Sequence, residues 1–269
     1  MDYQKLILGM EKYGISTKDI CINCIGVKEE HIHKNVVIAP WWEPSLFPDF
    51  QTAEYISKSV SDHIKVWNIC NDDCEFTYIK TGIGASVLMD IVLSLGMTSC
   101  EKIVFIGSVG ALDSDICIGD IVIPEYSVCG DGASRYIDSD NLTKGDIFGK
   151  KEYPDESMFN KSKEIAENLC KEHNVKWHIA KTFSIDTIFA QFYHLDEIIE
   201  IGCNVIEMET AAAFKAAKLA NIPITAVFSV SDNAVTRKSL ITARTKEEKD
   251  YRRYIRRVLF PRIIKELFE

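Results

Sequence analysis

The sequence predicts a single-domain α/β fold in three layers, with a central mixed, mostly parallel β-sheet flanked by helices. Short runs of β-branched and apolar residues alternate along the chain with amphipathic helical patterns, as in sheets whose strands are joined by crossover helices. No linker-like stretch divides the 269 residues. We expect residues 1–34 to form an N-terminal helical extension that packs on one domain over residues 35–269.

The strands are predicted from apolar runs that end at turn residues. The first is Asn35–Ala39, which Pro40 stops. Further strands are predicted over 75–80, 102–106, 120–128, 177–182, 205–208 and 223–230. Helices are predicted over 87–95, 157–172, 210–219 and 247–268, and a surface loop over 138–155.

The net charge and the length of the apolar runs exclude some classes of partner and predict the cellular compartment. The formal net charge is −9, from 40 acidic and 31 basic residues, so we expect neither nucleic acid nor a membrane as partner. Apolar runs are too short to span a bilayer and no secretory signal opens the chain, which predicts a cytoplasmic protein. Five basic residues near the C-terminus are predicted to form a solvated helix face: Arg252, Arg253, Arg256, Arg257 and Lys265.

The nine cysteines predict reduced thiols and no metal site. An odd count without an export signal does not suit a disulfide framework. The pairs Cys21/Cys24 and Cys70/Cys74 each lack a second pair at the spacing of a structural zinc site.

Two glycine-rich turns follow predicted strands. The first contains Gly84 and opens a helix; the second begins with Gly107 and Ser108. Their backbone N–H groups can form a pocket for an anion or for water. Neither turn has the third glycine of a dinucleotide fingerprint or the Gly-Lys-Ser/Thr of a P-loop. A Rossmann-type oxidoreductase is therefore disfavoured, and we expect no cofactor.

Acidic residues lie at the ends of two late strands. Glu207 and Glu209 fall on the same side of a strand, one turn before a helix, where buried carboxylates need a ligand or a partner. Asp232 follows a largely apolar strand after Ser231, so burial can raise its pKa enough for it to act as a general acid. Arg244 lies twelve residues further on and can return to pair with it. Ordinary helix capping by Glu209 or Asp232 remains the alternative.

Together these segments resemble the nucleoside phosphorylase family, which contains hexameric purine nucleoside phosphorylases, uridine phosphorylases and the methylthioadenosine/S-adenosylhomocysteine nucleosidases. The resemblance runs from about Asn35 to the C-terminus. Seven segments in order carry it: Thr81-Gly-Ile-Gly-Ala-Ser, Gly107-Ser-Val-Gly-Ala, Gly119-Asp-Ile-Val-Ile-Pro, Asp131-Gly-Ala-Ser, Ser184-Ile-Asp-Thr, Glu207-Met-Glu and Ser231-Asp.

The resemblance implies a role for each part of the site. Met208 and Glu209, with Glu207, would hold the ribose, and Asp232 would protonate N7 of a purine while Arg244 positions it. Side chains near the base would be Phe189, Gln191 and Ser231. The resemblance also implies a homo-oligomer, either a dimer or a hexamer, and a small nucleoside as substrate.

The sequence departs from the family at its phosphate site. Where the phosphorylases carry three arginines, this chain has Leu46 or Phe47, a position near Asp62, and Phe105. The family's nucleosidases lack the third of these arginines and use a glutamate after the first strand to activate water, and Glu43 lies at about that place. The resemblance therefore favours hydrolysis of a purine nucleoside in nucleoside metabolism. A phosphate-dependent nucleoside phosphorylase, acting on a purine nucleoside or with less support on uridine, remains an alternative, with Arg135 supplying charge. A non-catalytic nucleoside-binding relative is a further alternative.

Overall fold

The fold is taken from a computed structural model that describes residues 2–57, 63–70, 74–138, 146–238 and 244–269. The predicted arginine position near Asp62 and part of the predicted loop over 138–155 lie outside these residues. Among the described residues, no helix combines the length and the apolar character that crossing a membrane requires.

The described chain contains eight helices and ten strands. The helices are α1 Tyr3–Lys12, α2 Thr17–Cys24, α3 Ala85–Leu95, α4 Glu156–Glu172, α5 Ile188–Glu200, α6 Thr210–Ala220, α7 Lys246–Tyr254 and α8 Phe260–Phe268. The strands are β1 Asn35–Ala39, β2 Glu54–Tyr55, β3 Lys65–Cys70, β4 Glu75–Lys80, β5 Lys102–Ala111, β6 Ile121–Gly130, β7 Lys151–Glu152, β8 Trp177–Ile185, β9 Val205–Glu207 and β10 Ile224–Asn233. A π-helical turn, Ile255–Leu259, joins α7 to α8.

The strands form one sheet that closes on itself. Its order is β10-β6-β8-β9-β5-β1-β4-β3-β2, β7 pairs with β6, and β10 also pairs with β5. The last pairing makes a ring of five strands, β5, β10, β6, β8 and β9, so this part of the sheet is a barrel. Parallel and antiparallel pairings are equal in number among the described strands. The prediction of a mixed sheet is confirmed, and its longest pairings, β5 with β10 and β6 with β8, are parallel. Closure into a barrel was not part of the prediction.

Helices cover both faces of the sheet because side chains of each strand alternate between the faces. In β5, Ile103 and Phe105 belong to an apolar core shared with α3 and α6. Val104 and Ile106, which alternate with them, belong to a second core shared with α4 and α8. The two cores hold the sheet between two helical layers.

The N-terminal helices lie against α3. Helix α2 contacts α3 directly, and the Tyr3 hydroxyl of α1 donates to the Leu93 carbonyl oxygen at 2.5 Å. Each helix begins at a side-chain cap, Asp2 for α1 and Ser16 for α2.

An aromatic cluster fills the core after β1. Phe47 is fully buried, and the centroid of its ring lies 5.3 Å from that of Phe50 and 6.2 Å from that of Trp42. Trp42 in turn packs edge-on against Phe260 of α8 at 5.1 Å. Leu46, the other position that aligns with the family's first phosphate-binding arginine, is 38% exposed. Phe47 is therefore apolar core, and neither position carries a positive charge.

Gly130 provides a test of the pairing between β6 and β8. A Cβ at this position would lie 2.4 Å from the Ser184 carbonyl oxygen and 2.3 Å from the Phe183 ring. We expect Gly130→Ala to lower the free energy of unfolding by about 1–3 kcal/mol or more, because backbone must move to admit the methyl group. Urea unfolding measures this.

Gly132→Ala is the matched control, since a Cβ there would lie 3.6 Å from its nearest neighbour, an Asp186 oxygen. We expect this variant to change stability by about 0.5 kcal/mol or less. Equal stabilities of the two variants would contradict the observed packing.

Candidate active site

Most of the predicted site residues line one cavity of about 480 Å³, a volume in the range of small-molecule sites. It lies where β9 meets the C-terminal halves of β5 and β10. The predicted residues that line it are Gly107, Ser108, Gln191, Glu207, Met208, Glu209, Ser231, Asp232 and Arg244. A larger depression of about 740 Å³ around Trp177 and His178 contains none of them.

The position of Asp232 depends on a β-bulge. In the pairing of β10 with β5, Val230 lies opposite Val109 and Asp232 opposite Gly110, so Ser231 is the extra residue. Bulges re-aim the side chains that follow them, and here Asp232 faces the cavity. A Cβ at Gly110 would lie 3.1 Å from Oδ2 of Asp232, so this strand position accommodates the carboxyl because it is glycine.

The buried carboxyl of Asp232 lies near one hydroxyl and two arginines. Burial raises the pKa of its carboxyl, although Ser231, Arg244 and Arg252 act in the opposite direction. The Ser231 hydroxyl contacts an Asp232 oxygen and also the Val109 carbonyl oxygen, the latter at 3.0 Å. Because a hydroxyl has one proton, both contacts are satisfied together when Asp232 carries a proton. The group is suited to act as a general acid.

Glu207 serves the fold from the wall of the cavity. Its Oε1 accepts from the Ser184 hydroxyl at 2.5 Å, and its Oε2 accepts from the backbone N–H groups of Glu209 and Thr210, each at 2.7 Å. Glu207 therefore caps α6 and joins β8 to β9. Burial raises the pKa of this carboxyl against the effect of its three donors.

Glu209 faces the cavity with fewer internal partners. Its Oε1 accepts from the Gly84 N–H at 2.7 Å. Burial and then the Glu207 carboxylate raise the pKa of Glu209 to about 8. Negative charge in the pair is better stabilised on Glu207 than on Glu209, because Glu207 accepts from three donors. Glu209 has lone pairs directed to the cavity, the arrangement needed to accept from a sugar diol.

Three predicted residues lie outside the cavity lining. Glu43 binds Lys80 at 2.7 Å and Lys65 at 3.2 Å, and the Lys80 hydrogen bond is the main cause of its lowered pKa. This ion pair directs Glu43 away from the predicted role of activating water. Phe189 is 94% exposed on α5. Gly84 gives its N–H to Glu209 and so does not offer it to an anion.

Two charged residues of the cavity, Arg252 and Arg256, were not predicted as part of the site. Both line the cavity with Arg244, which corrects the prediction that they belong to a solvated helix face. They are four residues apart, the spacing that places side chains on one side of a helix. Arg135, in contrast, pairs with Asp146 at 3.1 Å on the surface and does not line the cavity. The four-residue spacing of Arg252 and Arg256 is the feature of the sequence that could have shown that they share one side of a helix.

No cysteine is involved in the cavity. All nine are free thiols, five of them buried. The one group of potential metal ligands found among the described residues is His33, Cys70 and Glu75, whose ligand atoms lie within 4.8 Å of one another near the surface. It is separate from the cavity and offers three ligands, one fewer than a structural zinc site has.

The proton on Glu209 predicts a pH-dependent stability. The folded chain holds this proton up to about pH 8, whereas the unfolded chain releases it near 4.5. The stabilising effect is therefore complete below 4.5 and is lost as the pH rises towards 8. We expect the free energy of unfolding to fall less between these pH values in Glu209→Gln than in the unchanged chain, as measured by urea unfolding.

The control for this comparison is Glu167→Gln, on the exposed side of α4, which should keep the full pH dependence. An equal loss of stability in all three proteins would show that Glu209 carries no such proton.

Comparison with known proteins identifies the family of the chain and its fold. A model of the Phosphorylase superfamily matches residues 47–265. A guanosine phosphorylase from Halorubrum lacusprofundi is 24% identical over 172 residues, which are 64% of this chain and 66% of that protein, just under two thirds of its length. A solved structure of uridine phosphorylase from Vibrio fischeri ES114 covers 91% of this chain and 95% of its own, with a TM-score of 0.74 and 18% identity. The same enzyme complexed with 6-hydroxy-1-naphthoic acid covers 93% of this chain, also at 0.74. The chain therefore belongs to the Phosphorylase superfamily, as the resemblance of its motifs predicts.

Proposed function

We propose that this chain cleaves the N-glycosidic bond of a purine nucleoside. The observation that carries the proposal is that one cavity contains Glu209, with acceptor lone pairs for a ribose diol, and Asp232, a buried acid for the base. Met208 lines the wall between them. Ser231 and Gln191 line the same cavity and are the proposed contacts to the base.

The proposed reaction uses Asp232 as the proton donor. As the bond between C1′ and N9 breaks, its electron pair passes to the base, and Asp232 gives its proton to N7. The sugar acquires oxocarbenium character, which neighbouring oxygens stabilise, and an acceptor oxygen bonds to C1′. The acceptor's own proton then restores Asp232, so the enzyme ends in its starting state.

We favour phosphate over water as the acceptor. The prediction of hydrolysis depended on missing arginines and on Glu43, whose carboxylate is held by two lysines away from the cavity. Arg252 and Arg256 bring positive charge to the cavity from a different element. The similarity to a guanosine phosphorylase supports the same choice and a purine base. Hydrolysis stays a second candidate, because Leu46 or Phe47, and Phe105, stand where the resemblance implies two of the family's arginines, and none of them carries a charge.

A panel of nucleosides tests the function and the acceptor together. The protein is incubated with guanosine, inosine, adenosine, uridine and methylthioadenosine, with and without phosphate, and free base and sugar are separated by chromatography. Purine release that requires phosphate and yields ribose 1-phosphate supports the proposal. Release of free ribose without phosphate supports the hydrolase, and no release from any nucleoside contradicts both. The predicted homo-oligomer stays a prediction that size-exclusion chromatography of the same sample addresses.

Removing the proton donor should impair the chemical step. We expect Asp232→Asn to lower kcat about 10²–10⁴-fold with a smaller change in KM, because asparagine cannot give a proton to N7. Steady-state kinetics with the best purine substrate measures this.

The matched control is Asp196→Asn, an exposed residue of α5, which should leave both constants unchanged. A kcat of Asp232→Asn within a factor of about three of the unchanged enzyme would remove Asp232 from the mechanism.

A further inference from the structure

The C-terminal helix presents two arginines to the cavity. Arg252 lies in the last turn of α7, and Arg256 lies in the π-helical turn that follows. Single π-helical turns occur frequently at functional sites. Arg244, just before α7, lines the same cavity. Three guanidinium groups from one short segment therefore face a space that also contains the Gly107–Ser108 turn.

These three side chains have little internal compensation for their charge. Arg244 Nε donates to the Ser231 carbonyl oxygen at 2.9 Å. Arg256 Nε donates to the Arg252 carbonyl oxygen at 3.4 Å, and its guanidinium carbon lies 5.9 Å from the Trp42 ring centroid. The buried Nε of Arg252 has no hydrogen-bond partner in the described part of the chain. Buried donors are normally paired, so this one points to a ligand.

Two other arginines of the C-terminal segment form ion pairs with carboxylates. Arg253 forms an ion pair with Asp250 at 3.4 Å, and Arg262 of α8 pairs with Glu172 at 3.0 Å. Within the described ranges, neither Arg252 nor Arg256 forms an ion pair with a carboxylate. Within the same ranges Arg257 is also without an ion pair, but it is exposed to solvent, whereas Arg252 and Arg256 are half-buried and line the cavity.

Mutual repulsion makes the cluster unfavourable without an anion. Burial, followed by the charges of Arg244 and Arg256, lowers the pKa of Arg252 to about 10, so it remains charged at pH 7. Burial, Arg253 and Arg244 also lower the pKa of Arg256. Asp232 is the acid that acts on Arg252 in the opposite direction, and burial raises the pKa of this carboxyl. A bound oxyanion would accept from these guanidinium groups and offset their repulsion.

We propose that Arg244, Arg252 and Arg256 form a phosphate-binding subsite of this cavity, supplied by the C-terminal helix instead of the family's usual arginine positions. The ligand is a phosphate group, either inorganic phosphate as second substrate or the ester phosphate of a nucleoside monophosphate. Its part in catalysis rests on the proposed function, whereas phosphate binding itself does not.

Titration calorimetry of the full chain with inorganic phosphate tests the subsite without any turnover. We expect Arg252→Gln and Arg256→Gln each to weaken binding about tenfold or more, because each loses a charge-assisted hydrogen bond. Arg257→Gln, at an exposed position of the same helix, is the matched control and should bind as the unchanged chain does. Arg252→Lys, which keeps the charge without the planar fork, should be intermediate.

A second titration distinguishes the two sources of phosphate. Guanosine 5′-monophosphate and guanosine are compared in phosphate-free buffer. If inorganic phosphate does not bind but the monophosphate binds about tenfold more tightly than guanosine, and Arg252→Gln abolishes the difference, the ligand is the ester phosphate. If the unchanged chain binds neither form of phosphate, or if Arg252→Gln and Arg256→Gln bind as tightly as Arg257→Gln, the proposal is overturned.

Thermal unfolding distinguishes phosphate binding by Arg252 and Arg256 from a purely structural role of these residues. Loss of a repelled, half-buried charge should leave the Tm of the glutamine variants unchanged or higher, whereas a structural arginine would lower it. Phosphate binding without release of base would contradict the proposed function alone. Base release with unaltered phosphate binding in the variants would contradict the subsite alone.

Discussion

The pairing of β10 with β5 is the constraint on which the rest of the structure depends. It runs from Ile224 opposite Ile103 to Asn233 opposite Ala111 and closes the strand ring. Without it, β10 would be held in the sheet by its short antiparallel contact with β6. The same pairing contains the bulge that turns Asp232 into the cavity, so closure of the barrel and placement of the acid have one origin.

Glu207, the last residue of β9, and Glu209, just before α6, have different partners. Burying two carboxylates two residues apart costs free energy unless each is satisfied. Glu207 obtains three donors from β8 and from the start of α6, and it thereby fixes the backbone of Glu209. Glu209 accepts from the Gly84 N–H, is also stabilised by the Met208 backbone, and lines the cavity. The residue that we propose binds the sugar is thus positioned by an acid whose own oxygens already accept from three donors.

Much of the fold could be predicted because it depends on local patterns. The core of each predicted strand and helix is present, since apolar runs and caps report burial directly. Strand β3 and helix α5 were missed: β3 has polar residues among its apolar ones, and α5 exposes Phe189 and Tyr193. Barrel closure was missed as well, because pairing between β10 and both β5 and β6 is a long-range choice that alternation along a strand does not encode.

The part of the site that could be predicted consists of residues in short motifs at the ends of predicted strands. Glu209, Asp232 and Ser108 reached one cavity as predicted from their motifs. Glu43 did not, because position along the sequence cannot show that Lys65 and Lys80 lie within reach of its carboxylate. Arg252 and Arg256 were placed on a solvated face since a charge run looks the same whether its helix packs over a cavity or over solvent.

The charges of the cavity couple the acid to the proposed anion. Burial raises the pKa of Asp232, while Arg244 and Arg252 lower it. An anion held by these arginines would offset their field at Asp232, so its carboxyl would retain a proton to higher pH. By linkage, protonation of Asp232 would strengthen anion binding by the same factor, because the competing negative charge is removed. Under the proposed function, the second substrate therefore prepares the general acid, and the enzyme holds its proton ready when both substrates are bound.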